Sequence, residues 1–366
     1  MKESKNVLHI CASLNGGGVE RMLQNYVCAI KDETIQFHII KHQQAEGMLE
    51  KALQECGCKI TYIIPKSKNV FQYTKELITY MKQNQIDVVH CHQGYVSFFP
   101  LGVAKLCGVK KRIAHGHTAF EKESRIRKWY RALTTCFTKM VATDLLACGD
   151  SAGRWMWHKN YTVIPNAMQV EQFYFSETMR IQKRKELNID NQFVIGCVSR
   201  LVPDKNHMFL LEIFREIRKK EPNATLVLVG DGSCYDEILN DINQYNIEKN
   251  VLLLKIRNDV SSLLNAFDAF VLPTKYEGLG ICFIEAQING LPTFAPQGAV
   301  PVETKITSQL SYLPMGNPET WADSILLGKR QALSEEENQA IEQYDIAIQP
   351  QKLLNVYRGE DKRGDA

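Results

Sequence analysis

The sequence of 366 residues has no long apolar segment and almost no net charge. None of its apolar runs approaches the ~18 residues that a membrane-spanning helix requires. The first run, residues 7–12, is too short for the core of a signal peptide. A formal net charge of +3 is not that of a polycation built for nucleic acid. We therefore expect a cytoplasmic protein without a nucleic-acid partner, able at most to rest on the inner face of the cell membrane.

The cysteines lack the spacing of a metal site or of a disulfide framework. There are eleven of them, scattered and mostly within apolar runs, which favours buried free thiols in a reducing compartment. Cys56 and Cys58 are too close for the usual C-x2-C half of a zinc site. In the run His90-Cys91-His92, alternation along a strand places the two imidazoles on one face, with no second ligand cluster apparent. We interpret this run as a polar pair at a strand end and predict no metal.

Short apolar runs alternate with amphipathic segments along almost the whole chain. The residues after Gly18 are apolar at i, i+3, i+4, i+7, i+8 and i+11, which predicts a helix. Strand–helix alternation predicts parallel sheets with right-handed crossovers, and it occurs on both sides of a polar stretch at residues 170–191. The fold class is therefore α/β, with two Rossmann-like doubly wound domains that face each other across a cleft.

We place the domain boundaries from the same pattern. The N-terminal domain covers residues 1–170, and the C-terminal domain covers residues 171–345. A final segment, residues 346–366, holds a last helix and a charged, frayed tail. Ligands of doubly wound sheets bind outside the carboxyl ends of the strands, so residues that follow predicted strands are the candidates for chemistry.

Three glycine-containing or charged strand ends meet this criterion. Gly16 to Gly18 lead into a helix whose N-terminus can bind an anion, although a flexible turn explains them equally well. Arg200 and Lys205 straddle a strand-to-helix loop and can clamp a diphosphate, which stabilises negative charge on a leaving group. A solvated loop with ordinary surface charges is the alternative for this pair. Gly230 follows the next strand.

Two carboxylates flank a glycine loop in residues 272–286. Glu277 precedes the loop formed by Gly278 and Gly280, and Glu285 lies one turn into the helix that follows. Ionised carboxylates accept hydrogen bonds from sugar hydroxyls, while the helix start offers free N–H groups to phosphates. We expect Glu285 to be buried on an apolar helix face, where a carboxylate is seldom found without a partner.

In order and spacing, these segments resemble the retaining family-4 glycosyltransferases of GT-B architecture over nearly the whole chain. The most specific segments are EGLGICFIEAQINGLP, with Glu277 and Glu285 eight positions apart, and SRLVPDKN. GGGVER, DVVHCH, IAHGH and IPNAMQVEQF also match, and the likeness is to the bacterial exopolysaccharide and capsule branch. Ala167 and Lys255 stand where the family often has glycine, which affects the hinge turn and the fit around the base.

The resemblance implies that the N-terminal domain is acceptor-binding, that the C-terminal domain is donor-binding and that the last helix crosses back to the N-terminal domain. It also implies a role for each matching residue. Arg200 and Lys205 would neutralise the donor diphosphate, so that neither a metal ion nor a cofactor is needed. Glu277 would hold the donor sugar's hydroxyls, and Glu285 the nucleotide ribose. The other donor-binding positions would be Gly17, Gly18, Gly230, Ile256, Arg257, Gly278, Leu279, Gly280 and Ile281.

The resemblance also implies the reaction. His117, or else His115, would lie near the donor sugar and the reacting centre. The enzyme would move a hexosyl or N-acetylhexosaminyl group from a nucleoside-diphosphate sugar, most simply a UDP-sugar, to a saccharide or a polyprenyl-diphosphate-linked saccharide in surface polysaccharide synthesis. Configuration would be retained through front-face attack, with the leaving phosphate oxygen taking the acceptor's proton.

The segment that begins at Lys110 and ends at Arg131 is strongly basic. It holds eight Lys or Arg and two acidic residues, with Phe120, Trp129 and Tyr130 interleaved. A basic helix with aromatics can lie on anionic lipid headgroups, and a solvated helix face is the alternative. We expect this segment to be a membrane contact of the acceptor-binding domain.

Two other functions share parts of this pattern. A nucleotide-sugar epimerase or a phosphorylase-like GT-B enzyme could also have two sheets and a cleft. A phosphorylase would need a lysine for pyridoxal phosphate, and an epimerase of this shape a different layout of carboxylates. A non-catalytic, two-lobed sugar-binding protein would normally be exported, and the sequence shows no signal peptide.

Overall fold

The computed structural model describes residues 4–118 and 124–360. The chain divides into two compact units. The first comprises residues 1–169 together with 343–366, and the second comprises residues 170–342. In the described parts of the chain, no helix is both long enough and apolar enough to cross a bilayer.

The first unit is built on seven parallel strands. They are β1 (Lys5–Ile10), β2 (Ile35–Lys41), β3 (Lys59–Tyr62), β4 (Val88–Cys91), β5 (Lys111–Gly116), β6 (Asp144–Ala147) and β7 (Thr162–Val163). Their order in the sheet is β3-β2-β1-β4-β5-β6-β7. The helices between them are α1 (Gly18–Ala29), α2 (Glu50–Glu55), α3 (Val70–Gln83), α4 (Phe98–Leu106), α5 (Arg125–Val141) and α6 (Asp150–Trp157).

The second unit repeats this plan with six parallel strands. They are β8 (Phe193–Val198), β9 (Ala224–Val229), β10 (Val251–Leu254), β11 (Ala269–Val271), β12 (Thr293–Pro296) and β13 (Leu310–Leu313), in the order β10-β9-β8-β11-β12-β13. Its helices are α7 (Glu177–Leu187), α8 (His207–Lys220), α9 (Tyr235–Gln244), α10 (Val260–Ala266), α11 (Ile281–Ile288), α12 (Pro318–Leu327) and α13 (Glu335–Glu342). A last helix, α14 (Pro350–Arg358), belongs to the first unit.

Both sheets are doubly wound, as the alternation of the sequence predicted. Strand order reverses between β1 and β4 in the first unit and between β8 and β11 in the second. In such sheets the loops that leave the strands on either side of the reversal diverge and form a ligand-binding crevice. Arg200 and Lys205 follow β8 and Glu277 follows β11, so their loops flank this switch point.

The amphipathic stripe of α1 packs into the first core as its spacing predicted. Its buried residues are Met22, Leu23, Tyr26 and Val27. Residues of α14 join the same core, with Leu353, Val356 and Tyr357 each almost fully buried. The last helix therefore completes the first unit's hydrophobic core.

Two features differ from the sequence-based expectations. The polar stretch 170–191 holds the helix α7, whose buried residues are Lys183 and Arg184, so the apolar periodicity that would reveal a helix is absent. The expectation that all cysteines are free is wrong, because Cys28 and Cys56 form a disulfide. These two residues are 28 positions apart, and only the packing of α2 against α1 brings them together.

Candidate functional site

The loops after β8 and β11 are tied together at the switch point of the second sheet. The main-chain carbonyl of Asp204 accepts hydrogen bonds from the Lys275 main-chain N–H (2.7 Å) and from the Thr274 hydroxyl (3.1 Å). The Tyr276 hydroxyl donates to the Asp204 carboxylate at 2.8 Å. These bonds fix the chain immediately before Lys205 and immediately before Glu277.

The structure brings Lys205 and Glu277 into direct contact. Lys205 Nζ donates to Glu277 Oε1 at 2.5 Å, and the two side chains are only 15% and 11% exposed. Arg200, at the end of β8, is exposed. The predicted cation pair is therefore asymmetric: one cation is largely buried against a carboxylate and the other is exposed.

Gly230 and Gly232 allow the loop after β9 to pack directly on the backbone after β8. A Cβ atom at Gly230 would lie 1.9 Å from the Ser199 carbonyl oxygen, and one at Gly232 would lie 2.3 Å from the Leu201 carbonyl oxygen. The main-chain N–H of Leu201 donates to the Asp231 carbonyl at 2.9 Å. Gly230 thus shapes the switch-point loop whether or not it touches a ligand.

Replacing Gly230 with alanine is expected to lower the free energy of unfolding by about 2–3 kcal/mol. The new methyl group would overlap the Ser199 carbonyl oxygen, and overpacking typically costs ~1–3 kcal/mol in addition to the strain of a positive φ. Urea denaturation followed by circular dichroism measures the loss.

Gly298 provides the matched control, because it also has a positive φ (+76°) but no atom lies within 4 Å of the position that a Cβ atom would occupy. Gly298→Ala is expected to show only the cost of backbone strain, about 1 kcal/mol. Equal losses in the two variants would contradict the crowding explanation.

The glycine loop before α11 shows why the sequence needs glycine there. Gly280 caps the helix in the left-handed conformation (φ 74°, ψ 57°), which glycine adopts without steric cost. Leu279 is buried, and its carbonyl accepts a hydrogen bond from Thr304 Oγ1 at 2.5 Å. Gly278 and Ile281 are half-buried. The helix α11 therefore begins at Ile281, four residues after Glu277 in the chain.

The carboxylate of Glu285 is less enclosed than the sequence suggested. Glu285 is half-buried, not buried, whereas its neighbours Ile284 and Ala286 are fully buried. The expectation of a fully buried carboxylate on an apolar face is therefore wrong. The α-helical periodicity puts residue 285 at the margin of the buried face of α11.

The loop after β10 holds one exposed residue and one fixed cation. The Ile256 side chain is 52% exposed. Arg257 donates to both carboxylate oxygens of Asp259 at 2.7 Å and lies 3.5 Å from Glu186. Hydrogen bonds from Arg257 and Lys183 hold the pKa of Asp259 well below its usual range. Arg257 is thus oriented by protein carboxylates at the loop where the nucleotide base was expected.

The glycines at the start of α1 are covered by an acidic residue of the same helix. Gly17 is the N-cap residue, and a Cβ there would lie 2.5 Å from Glu20 Oε2. Ser13 Oγ donates to Glu20 Oε1 at 2.8 Å, which holds the carboxylate in place. Gly18 has open space where a Cβ atom would lie. The helix start therefore already has a negative group near its free N–H groups, a favourable arrangement for the helix dipole.

Five histidines from three adjacent strands form one cluster in the first unit. The register of β1 with β4 pairs residue 9 with residue 90, and β5 lies next to β4. The members lie in or directly after these strands: His9, His90, His92, His115 and His117.

Two hydrogen-bonded branches leave the hydroxyl group of Tyr357 on α14. In the first, the Tyr357 oxygen lies 2.9 Å from His90 Nδ1, and His90 Nε2 lies 3.1 Å from His115 Nδ1. The Tyr357 side chain is 1% exposed and His90 and His115 are fully buried. This branch therefore ends at His115, whose Nε2 is buried without a hydrogen-bond partner within the described residues.

The second branch ends at the predicted active-site histidine. The Tyr357 oxygen lies 3.3 Å from His9 Nε2, and His9 Nδ1 lies 3.0 Å from His92 Nε2. His92 Nδ1 lies 3.0 Å from His117 Nε2. His92 and His117 are half-buried, so this branch reaches the surface of the unit.

Burial keeps the whole cluster uncharged. Desolvation lowers the pKa of His9 and of His117 to about 3, although a hydrogen bond with Asn166 opposes the shift at His117. Desolvation, reinforced by neighbouring imidazoles, lowers the pKa of His90, His92 and His115 well below 6.5. The expectation that no second ligand cluster accompanies His90 and His92 is therefore wrong, because strand adjacency adds three further imidazoles.

Sequence reasoning missed Asp204, which lies inside SRLVPDKN, and Thr274 and Tyr276, which shortly precede Glu277. They contact one another through a main-chain carbonyl, a carboxylate and hydroxyls, and such contacts leave no pattern in composition. It also missed His9 and Tyr357, whose contacts depend on strand adjacency and on the position of α14. A doubly wound strand order, once assumed, would have placed residues 9, 90 and 115 on neighbouring strands.

The two halves of the chain match two protein-family models. Residues 16–172 match the model described as Glycosyltransferase Family 4. Residues 179–342 match the model described as Glycosyl transferases group 1. The chain belongs to the family-4, group 1 glycosyltransferases, as the sequence motifs indicated.

Two curated relatives cover different shares of the chain. The capsular polysaccharide biosynthesis glycosyltransferase CapH of Staphylococcus aureus is 25% identical over 96% of this chain and 98% of its own length. The UDP-Gal:alpha-D-GlcNAc-diphosphoundecaprenol alpha-1,3-galactosyltransferase of Escherichia coli is 31% identical over 64% of this chain and 63% of its own length. The predicted likeness to the capsule branch is confirmed by the first of these.

The fold also matches a solved structure, HepE of Anabaena in complex with UDP and glucose. The TM-score is 0.81 over 96% of this chain and 99% of that chain, at 17% sequence identity. This similarity establishes the GT-B fold.

Proposed function

We propose that the protein transfers a hexosyl or N-acetylhexosaminyl group from a UDP-sugar to a saccharide or a polyprenyl-diphosphate-linked saccharide, in surface polysaccharide synthesis. The contact between Lys205 and Glu277 at the switch point carries this proposal. A cation and a carboxylate side by side match a ligand that has a phosphate next to a hydroxyl-bearing sugar. The names of the E. coli relative and of the HepE complex, with their UDP-sugar, diphosphoundecaprenol and UDP, support the choice of donor and acceptor.

The transfer proceeds with retention of configuration. The bond between the sugar's anomeric carbon and the β-phosphate oxygen breaks while the acceptor oxygen bonds to the same carbon on the same face. The leaving phosphate oxygen takes the acceptor's proton. Lys205 and Arg200 stabilise the charge that grows on the leaving UDP, since preorganised cations act most strongly in an enclosed site. No metal ion is required on the diphosphate.

The other candidate residues are assigned to the donor sugar, the ribose, the reacting centre and the base. Glu277 accepts hydrogen bonds from the donor sugar, and Glu285 from the ribose. His117, uncharged because burial lowers its pKa to about 3, serves as a neutral hydrogen-bonding group near the reacting centre. The proposed donor contacts through backbone or apolar surface are Gly17, Gly18, Gly230, Ile256, Gly278, Leu279, Gly280 and Ile281, with Arg257 beside the base.

A donor screen tests this function. The purified protein is incubated with a panel of nucleotide sugars, and the slow release of free nucleoside diphosphate is measured. We expect release from UDP-sugars above all. Interconversion of the sugar without release would indicate an epimerase, and the absence of release from every donor would favour a non-catalytic sugar-binding protein.

The acceptor side of the proposal includes contact with an anionic membrane through α5. The helix has an exposed apolar stripe at helical spacing: Ile126, Trp129, Tyr130, Leu133, Phe137 and Met140. Arg125, Arg127 and Lys128 are exposed in its first turns. Phe120 and the acidic residues at 121 and 123 lie outside the described residues. An exposed apolar stripe beside cations fits the boundary between headgroups and acyl chains.

Removing two aromatic side chains from this stripe is expected to weaken membrane binding at least tenfold. Trp129 is 77% exposed and Phe137 is 45% exposed, and burying such a side chain contributes about 1.5–3 kcal/mol. The measurement is cosedimentation of Trp129→Ala/Phe137→Ala with vesicles that contain anionic lipid.

Ile181→Ala is the control, because Ile181 is 59% exposed on α7 in the second unit. It is expected to bind vesicles as the unaltered protein does. If the unaltered protein showed no affinity for anionic vesicles at low salt, the membrane contact would be abandoned.

A further inference from the structure

We propose that His92, His115 and His117 form a binding site for a divalent transition-metal ion of the zinc class. One ring nitrogen of each residue lies within 4.8 Å of one from each of the other two. Zinc–nitrogen bonds of about 2.0–2.1 Å place the nitrogens of a three-histidine site roughly 3.3 Å apart. The distance of 3.0 Å between His92 Nδ1 and His117 Nε2 is close to this spacing, and an ion bound by both nitrogens would replace the hydrogen bond between them.

One proposed ligand has a buried ring nitrogen that makes no hydrogen bond among the described residues. His115 is fully buried, and its Nε2 has no hydrogen-bond partner among the described residues. Leaving a buried polar atom unpaired costs about 1–3 kcal/mol, so a ligand for this lone pair would stabilise the structure.

The cluster already contains a second layer of hydrogen bonds behind the three ligands. His92 uses its other nitrogen to contact His9 at 3.0 Å, and His115 uses its other nitrogen to contact His90 at 3.1 Å. Tyr357 contacts both His9 and His90. Metal-binding histidines usually have such a partner on the second nitrogen, which fixes the orientation of the ring.

The donor set selects the class of metal. Three imidazoles suit zinc, cobalt, nickel or copper, whereas magnesium and calcium prefer oxygen ligands. The Cys91 thiol is not a ligand, because alternation along β4 turns it to the other face and burial raises its pKa. His117 is half-buried, so an ion can reach it from solvent, and three protein ligands leave a fourth position for water.

Metal binding at this site would occupy a nitrogen of His117. This consequence, unlike the binding itself, rests on the proposed function, in which His117 lies near the reacting centre. We expect zinc to inhibit sugar transfer and a chelator to restore it. A regulatory inhibitory site of this kind is compatible with donor binding that needs no metal.

Binding is tested directly and without any sugar donor, so that the result does not depend on the proposed function. The full-length protein is freed of metal with a chelator and titrated with Co²⁺, whose visible absorption reports its coordination. We expect one equivalent of cobalt per chain, displaced by Zn²⁺. His117→Gln and His92→Gln are each expected to lower the affinity at least tenfold, since each removes one of three ligands.

His158→Gln is the matched control, because His158 is exposed in the same unit and outside the cluster. It is expected to bind cobalt as the unaltered protein does. Equal affinity in all three variants, or no binding by the unaltered protein at micromolar cobalt, would overturn the proposal. X-ray absorption on the zinc complex of the unaltered protein decides the matter if a variant fails to fold: imidazole nitrogens support the site, and sulfur ligands refute it.

Discussion

Replacing Lys205 with alanine is expected to lower kcat for sugar transfer about 30- to 1,000-fold. Lys205 is one of two cations proposed to stabilise the charge on the leaving UDP, and loss of one preorganised electrostatic donor costs roughly 2–4 kcal/mol in the transition state. Its side chain is only 15% exposed, so water cannot readily take over this role. Steady-state release of UDP from the preferred donor, in the presence of acceptor, gives the change in kcat.

The effect must be separated from a loss of folding. Removing Lys205 leaves Glu277, which is 11% exposed at its side chain, without its cation, and an uncompensated buried charge is destabilising. The double variant Lys205→Ala/Glu277→Gln removes that penalty and should recover stability without recovering activity. Lys219→Ala is the matched control, because Lys219 lies 2.7 Å from Glu216 in an ion pair that is largely exposed on α8. Preserved turnover in Lys205→Ala would end the diphosphate-clamp assignment.

The parallel sheets could be predicted because buried strands of an α/β protein are continuous apolar runs. β9 and β10 begin and end where these runs do, and the amphipathic stripe of α1 gave its buried face directly. The short edge strand β13 (Leu310–Leu313) could not be predicted in this way. It lies at the edge of the sheet beside β12, and of its four residues only Leu310 is buried, which is too little for a periodic signal.

The helix α7 could not be predicted from apolar periodicity because ion pairs fix its buried face. Arg184 Nη2 lies 2.5 Å from Asp268, and Lys183 Nζ lies 2.9 Å from Asp259. Such pairs join residues more than 70 positions apart, which a local pattern does not reveal. A polar stretch at a domain boundary can therefore be an anchored helix as easily as a linker.

Of the candidate site, the sequence predicted the residue types and their loops, and the fold determined which of them meet. Lys205 and Glu277 are 72 positions apart, and the strand order alone puts their loops side by side. The histidine cluster shows the same limit, since its members lie in or directly after β1, β4 and β5, which are neighbours in the sheet although β2 and β3 separate β1 from β4 along the chain. Spacing along the chain indicates which residue types stand in the site loops. Only strand adjacency indicates which of their side chains lie close enough to act together.

Replacing Glu277 with alanine is expected to abolish measurable transfer and to leave UDP binding intact or slightly tighter. The carboxylate is proposed to accept hydrogen bonds from the donor sugar, and each hydrogen bond to a charged group contributes about 1.5–3 kcal/mol. Two such bonds correspond to a loss of roughly 10²- to 10⁴-fold. UDP lacks the sugar, and Lys205, no longer held at 2.5 Å by the carboxylate, is free to pair with the diphosphate.

The decisive measurement is the ratio of the dissociation constants for UDP and for the UDP-sugar, determined calorimetrically in matched variants. Glu277→Ala should erase the additional affinity that the sugar provides, whereas Glu285→Gln, at the proposed ribose contact, should weaken both ligands equally. The isosteric variant Glu277→Gln keeps the side-chain volume and tests whether the negative charge itself is needed. Equal losses of UDP and UDP-sugar binding in Glu277→Ala would mean that this carboxylate serves the nucleotide and not the sugar, and would reverse the roles proposed for the two glutamates.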